Sequence, residues 1–173
     1  QLSLANSGGI FLGSQYHFDM VRLGIGLYGC NPTEAKKNPL KQVLKIKAKI
    51  IQSRVISAVE AVGYNATYIS NSERKLLVVE WGYADGYTRT LSNCWHAMLE
   101  GYKMPIIGSI SMDSCTLDAT DVPSAIIEKN TYVEIINDEI TVDEIAKAAG
   151  IAHYDVLTRL SKRHTYVYNH HQY

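Results

Sequence analysis

From Leu40 to Ile136 the chain is a run of short strand-like stretches, each ended by a turn signal before it grows long. In Val43-Leu44-Lys45-Ile46-Lys47-Ala48-Lys49-Ile50 apolar residues alternate with lysines at period two, the mark of a half-buried strand. Ser53–Val59, Leu76–Glu80, Ala97–Leu99, Ile106–Ser111, Cys115–Asp118 and Tyr132–Ile136 read as further strands, with turns at Glu100-Gly101 and Asn137-Asp138. Many short strands at this spacing must stack as a sandwich or close as a barrel, so the fold class is mainly β. Lys41, Lys45, Lys47 and Lys49 then read as the solvated face of an antiparallel sheet rather than a basic patch.

The first 39 residues have a different texture. They hold six of the twelve glycines between short apolar runs. Ala5-Asn6-Ser7-Gly8-Gly9 reads as a loop entering a short helix with Ser7 as N-cap, and Phe18 to Tyr28 as a buried strand followed by a turn. Asn31 to Asn38, with Pro32, is the candidate linker. Near the other end, Thr141 and Glu144 form a capping box, Ile145, Ala148 and Ala149 an apolar stripe, and Gly150 a stop. A second short helix is expected at Tyr154–Leu160, and a polar, aromatic tail at Tyr166–Tyr173.

Charge excludes some partners. Seventeen basic residues balance seventeen acidic ones, which argues against a nucleic-acid or membrane-surface binder. No run of 18 apolar residues exists to span a bilayer. A chain of this size buries roughly 70% of its unfolded surface, enough for one core. Cys30, Cys94 and Cys115 fit neither a disulfide framework nor a zinc ribbon, so a reduced, cytoplasmic setting is expected. The histidines show no metal-ligand spacing, and His170-His171 reads as solvated. No P-loop, G-x-S-x-G or H-E-x-x-H occurs.

Several stretches carry chemistry, each beside a plainer reading. Ala5–Gly9 offers a hydroxyl and free N–H groups for a phosphate; alone, it reads rather as an ordinary helix cap. Arg22 lies within an apolar strand and needs a partner, either a ligand or an acidic side chain, while Gly24 and Gly26 permit close approach of a ligand. Tyr64 and Tyr68 flank a turn. A phenol, with a reference pKa of about 10, is a poor base near neutrality unless cations lower it, and packing is the default role. Trp81 to Arg89 reads as a pocket-lining loop or a tight turn at Asp85-Gly86. Gly108 to Ser114 exposes Met112 and Asp113 at the end of a strand.

Five motifs occur in order: Ala-Asn-Ser-Gly-Gly, Phe-Asp-Met-Val-Arg-Leu-Gly-Ile-Gly-Leu-Tyr-Gly, Val-Gly-Tyr-Asn-Ala-Thr-Tyr, Gly-Tyr-Ala-Asp-Gly-Tyr and Gly-Ser-Ile-Ser-Met-Asp-Ser. Together, from about Ala5 to Arg163, the chain resembles the C-terminal half of bacterial alanine racemases, which are pyridoxal 5'-phosphate enzymes. The resemblance implies that residues 1–39 are the end of a (β/α)8 barrel and residues 40–173 a C-terminal β domain. Nothing here resembles the family's lysine-bearing segment, so the chain is expected to be a fragment, inactive alone and completed by the N-terminal barrel half of the same protein.

The resemblance also implies roles. Ser7, with the N–H groups of Gly24 and Ile25, binds the cofactor phosphate, and Arg22 faces the pyridine nitrogen. Tyr64 is the catalytic acid/base on one face of the α-carbon, and the absent lysine serves the other. Tyr83 narrows the entrance, the Met112 backbone contacts the substrate carboxylate, and Asp113 lies beside it. Two departures stand out. Asn65 occupies a position that is often glycine, and Leu160-Ser161-Lys162-Arg163 lacks the phosphate-reaching tyrosine of some members, so none is assigned. The implied enzyme is a homodimer with shared active sites that makes D-alanine for peptidoglycan. The rival readings are a racemase of another or broader amino-acid range and a non-catalytic β association domain.

Overall fold

The computed structural model describes residues 1–33, 37–160 and 162–169. His170-His171 and the middle of the Asn31–Asn38 linker lie outside the described residues. In chain order the elements are β1 (Ser3–Asn6), α1 (Ser7–Ile10), β2 (Met20–Arg22), β3 (Ile46–Ile56), β4 (Ala61–Val62), β5 (Tyr68–Ile69) and β6 (Arg74–Val79). There follow β7 (His96–Leu99), β8 (Tyr102–Pro105), β9 (Cys115–Asp118), α2 (Ser124–Lys129), β10 (Tyr132–Ile136), α3 (Val142–Ala149) and α4 (His153–Arg159).

The mainly β class holds. Six strands pair antiparallel in the order β8-β7-β10-β3-β6-β9. Ile106, just past β8, bridges to Leu117 of β9, so the two sheet edges meet and the sheet curls toward a barrel. Its interior holds Leu77, Val79, Leu91, Met104, Leu117 and Ile135, all fully buried. Lys45, Lys47 and Lys49 are exposed, as a solvated sheet face requires. Lys45 pairs with Asp138 at 2.6 Å on the surface.

Two expected strands are one. β3 runs unbroken from Ile46 to Ile56 because no glycine or proline interrupts it; the alternation changes phase at a register shift between Ile50 and Gln52. Ile106–Ser111 is not a strand. The strand is the preceding β8, joined to β7 through Glu100 and Gly101, both at positive φ as a two-residue hairpin demands. Leu76 and Leu77 are both fully buried, because β6 has cores on both faces: Leu77 faces the barrel, and Leu76 joins Ile56, Val62 and Ile107 in a smaller cluster. That cluster supports the β4–β5 hairpin, with Tyr68 packed against it.

The first segment is built differently. β1 and β2 pair parallel, with Asn6 opposite Arg22. The stretch read as a buried strand is exposed along all of β2, and Leu2, Leu4, Phe18, Leu23 and Leu27 are also exposed. The capping residue of α1 is Asn6 rather than Ser7: Asn6 has extended backbone and its Oδ1 accepts from the Gly9 N–H at 3.0 Å. The α3 capping box and the left-handed Gly150 stop stand as expected. No helix among the described residues is long and apolar enough to cross a membrane.

Candidate active site

With Asn6 serving as cap, the Ser7 side chain is released for another task. It is 3% exposed, and its Oγ accepts hydrogen bonds from the Gly24 N–H at 2.9 Å and the Gly26 N–H at 3.3 Å. The Ile25 N–H between them has no acceptor among the described residues. These groups meet because β1 and β2 run parallel, so the residues after both strands emerge at the same end. Arg22 is exposed and donates to the Ser3 carbonyl (3.2 Å), the Ser3 Oγ (2.9 Å) and the Leu4 carbonyl (3.4 Å). In this chain Arg22 is thus exposed, and its partners among the described residues are on β1, with no carboxylate among them.

Beside this cradle lies a cavity of about 230 Å³, lined by Ser7, Gly8, Ile25, His153 and Tyr154 among others. Tyr154 was not expected there. A Cβ placed on Gly24 would lie 3.5 Å from its hydroxyl, so the phenol stands over the Gly24 backbone. Tertiary contacts bring it in. The Asp143 carboxylate, at the start of α3, accepts from the Asn31 N–H at 3.0 and 3.1 Å and from Asn38 Nδ2 at 3.3 Å. His153 lies 3.4 Å from the same carboxylate. The first segment is thus fastened to the α3–α4 pair, and α4 carries Tyr154 to the cradle. Burial and the Asp143 charge push the nearby Cys30 thiol up to about 12.

Tyr64 occupies a turn between β4 and β5 and is 70% exposed. Gly63, Asn65 and Ala66 all have positive φ. For the two non-glycine residues this costs on the order of 1–3 kcal/mol each. The packing role considered for both tyrosines fits Tyr68 only. A cavity of about 410 Å³ lies against Tyr64, lined also by Arg54, Ser109, Ser111, Ser114 and Cys115. It shares no lining residue with the cradle cavity.

Tyr83 and Met112 sit on two loops zipped together. The Tyr83 N–H donates to the Ser111 carbonyl at 3.1 Å and the Ala84 N–H to the Met112 carbonyl at 2.9 Å. The Met112 N–H has no acceptor among the described residues. Asp85 is nearly fully buried and accepts from the Gly82 N–H at 2.9 Å, closing the turn. Arg163 ties the pair from outside, 2.7 Å from Asp113 and 3.6 Å from Asp85. His164 stacks on Trp81 and bonds the Asp85 carbonyl. Asp113 is thus an ion-pair partner of Arg163. No group of three or more metal-ligating side chains occurs among the described residues.

The fold and these constellations define a curled antiparallel β domain joined to a piece of parallel α/β sheet with an anion-sized cradle at its strand ends. The chain belongs to the alanine racemase family: residues 43–168 match the family model described as alanine racemase, C-terminal domain, and residues 1–32 the model of its N-terminal domain. It is 41% identical over 162 residues to an alanine racemase of Rhodospirillum rubrum, covering 94% of this chain and 43% of that protein. Over 159 residues it is 43% identical to alanine racemase 3 of Mesorhizobium japonicum, covering 92% and 41%. Among solved structures, it superposes with a TM-score of 0.87 and 40% identity on the Bartonella henselae alanine racemase with covalently bound pyridoxal phosphate, covering 96% of this chain and 46% of that one. The biosynthetic enzyme of Pseudomonas aeruginosa gives 0.86 and 33%, with 97% and 47% coverage. The chain spans less than half the length of these relatives.

Proposed function

We propose that this chain is the C-terminal part of a cytoplasmic, pyridoxal 5'-phosphate-dependent alanine racemase that interconverts L- and D-alanine for peptidoglycan precursors. The carrying observation is the cradle: a buried serine hydroxyl and a cluster of backbone N–H groups at the shared end of two parallel strands. The Ser7 hydroxyl hydrogen, the Ile25 N–H and the Tyr154 hydroxyl fit a phosphate, while the Gly24 and Gly26 N–H groups hold the Ser7 oxygen in place. Tyr154 supplies the phosphate-reaching tyrosine that residues 160–163 lack. When bound, the cofactor withdraws charge from the α-carbon of the amino acid.

The rest of the reading assigns residues. Residues 1–39 complete the barrel, and 40–173 form the β domain. The exposed apolar side chains of β1 and β2 await the other barrel strands. Arg22, whose guanidinium is held against the first half of β1 by Ser3 and Leu4, is assigned to the cofactor ring nitrogen by the family resemblance. Tyr64 moves the α-proton on one face, and a group outside this chain serves the other. The Met112 N–H receives the substrate carboxylate, Tyr83 narrows the entrance, and Asp113 with Arg163 holds that loop in place. As the family resemblance implies, each active site pairs one protomer's cradle with its partner's Tyr64; the cradle and the Tyr64 cavity having no lining residue in common agrees with that arrangement.

Tyr64→Phe in the whole protein tests this. Its exposed hydroxyl has no hydrogen-bond partner among the described residues, so stability is expected to change by no more than about 0.5 kcal/mol. Loss of a general acid/base slows racemisation about 10²–10⁴-fold. In deuterated buffer, α-proton exchange is expected to fail for L-alanine and persist for D-alanine. Equal exchange from both enantiomers, or an undiminished rate, overturns the assignment. Tyr68→Phe is the control.

A further inference from the structure

The turn that carries Tyr64 lies outside the main sheet, between strands of two residues each, and its backbone visits the left-handed region at Gly63, Asn65 and Ala66. Gly63 and Asn65 take this conformation readily, but Ala66 does not. Polar side chains from two other loops, joined through Thr67 of the turn itself, fasten it. Ser109 Oγ lies 3.2 Å from the Tyr64 carbonyl and 3.1 Å from Thr67 Oγ1. Asn93 Nδ2 lies 3.3 Å from Thr67 Oγ1, and Asn93 Oδ1 accepts the Gly108 N–H at 2.6 Å.

The directions of these bonds follow from counting hydrogens. The Gly108 N–H fixes the Asn93 oxygen, so the Asn93 amide nitrogen faces Thr67 and donates to it. A carbonyl can only accept, so the single Ser109 hydrogen goes to the Tyr64 carbonyl. Between the two hydroxyls, Thr67 must therefore donate to Ser109. The sequence Asn93 to Thr67 to Ser109 to Tyr64 runs one way, each member donating to the next, and such chains polarise and strengthen their members. The turn is also close-packed: a Cβ on Gly63 would stand 3.0 Å from the Ser109 N–H nitrogen.

We infer that Asn93, Thr67 and Ser109 are positioning residues for Tyr64: their directional hydrogen-bond chain clamps the tyrosine's carbonyl and so sets where the phenol stands during proton transfer. The inference rests on the proposed catalytic role of Tyr64. The chain ends at the backbone, so its loss displaces the phenol without changing its chemistry. Misplacement by a fraction of an ångström lowers turnover on the face that Tyr64 serves and leaves the other face and substrate binding unaffected.

The test uses the whole protein with cofactor bound. Thr67→Val keeps the shape and removes the donor; Ser109→Ala removes the link to Tyr64. Each is expected to lower kcat about tenfold with KM within about twofold. Thr67→Ser and Ser109→Thr, which keep the hydroxyl, restore kcat. Exchange of the α-proton slows for L-alanine only, and backbone amides of residues 63–68 exchange faster with deuterium. A parent-like kcat, a loss on both faces in proportion, or a loss that Thr67→Ser fails to restore overturns the inference. A drop in melting temperature beyond about 5 °C with loss on both faces marks a merely structural role and overturns it too. Tyr64→Phe separates the two levels. If it slows racemisation while Thr67→Val does not, only the positioning inference fails; if Tyr64→Phe has the parent rate, the reading beneath it fails.

Discussion

Gly82 is where the entrance loops are most sensitive to a single methyl group. Its φ is ordinary, so alanine suffers no backbone strain there, and any effect comes from contact. A Cβ at this position would stand 2.6 Å from the Asp113 nitrogen and closer still to the Met112 carbonyl, where ordinary contact begins at 3.4 Å. Both neighbours are backbone, so the Tyr83 and Met112 loops must part by about 1 Å. Overpacking of this kind costs about 1–3 kcal/mol. Parting the loops also breaks the bonds from Tyr83 to Ser111 and from Ala84 to Met112, each contributing about 0.5–1.5 kcal/mol. Gly82→Ala should therefore destabilise by about 2–6 kcal/mol and lower the melting temperature of the whole protein by several degrees. The same displacement moves the Met112 N–H and Tyr83 together, which is expected to lower kcat/KM for alanine about 10–100-fold. Calorimetry and steady-state racemisation read the two effects separately. Gly101→Ala, in the β7–β8 hairpin, is the control: its Cβ meets nothing within 4 Å, but its φ is +81°. It should cost about 1 kcal/mol and leave kcat/KM unchanged. A Gly82→Ala protein within about 1 kcal/mol of the parent and with parent kcat/KM would refute the argument.

Three other outcomes are expected. Ser7→Ala removes the hydroxyl assigned to the phosphate and the oxygen that fixes the Gly24 and Gly26 N–H groups, and should weaken pyridoxal 5'-phosphate binding at least about tenfold in an absorbance titration; an unchanged affinity removes Ser7 from the cradle. Tyr154→Phe keeps the ring over Gly24 and should weaken cofactor binding about 3–10-fold; unchanged binding would return Tyr154 to a packing role. Burial pushes the Cys30 and Cys115 thiols up to about 12 against 9.0 when unfolded, and Tyr87 is raised in the same direction. Unfolded thiols lose their protons first, so stability is complete below pH 9 and should fall as pH rises from 9 toward 12, read as a declining urea midpoint. Replacing both cysteines by alanine should flatten that decline, and peptide mapping after thiol labelling at pH 8 should find Cys94 modified and these two spared.

What the sequence determined by itself is whatever depends on neighbours within a few residues. Thr141, Glu144 and Gly150 specify the bounds of α3 because a cap and a stop are local hydrogen bonds and a local φ. Cys115–Asp118 and Tyr132–Ile136 stand as read because alternation along a strand reports which face is buried. The order of the five motifs was enough to indicate the family, because each motif is contiguous. The tertiary structure decided everything that depends on who lies opposite. Asn6 and Ser7 can both cap a helix, and only the approach of Gly24 and Gly26 assigns the cap to one and the cradle to the other. Arg22 reads as buried because its neighbours are apolar, yet burial needs a partner layer, and none packs over β2 among the described residues. Tyr154 carries no local sign of an anion site; it reaches Gly24 because Asp143 fastens α3 to Asn31 and Asn38, more than a hundred residues away in sequence. The clamp on Tyr64 draws on Thr67 of its own turn and on two distant loops, whose polar residues look like ordinary turn formers when read one at a time. A hydrogen bond between distant segments leaves no periodicity in either segment, so only the folded chain displays it.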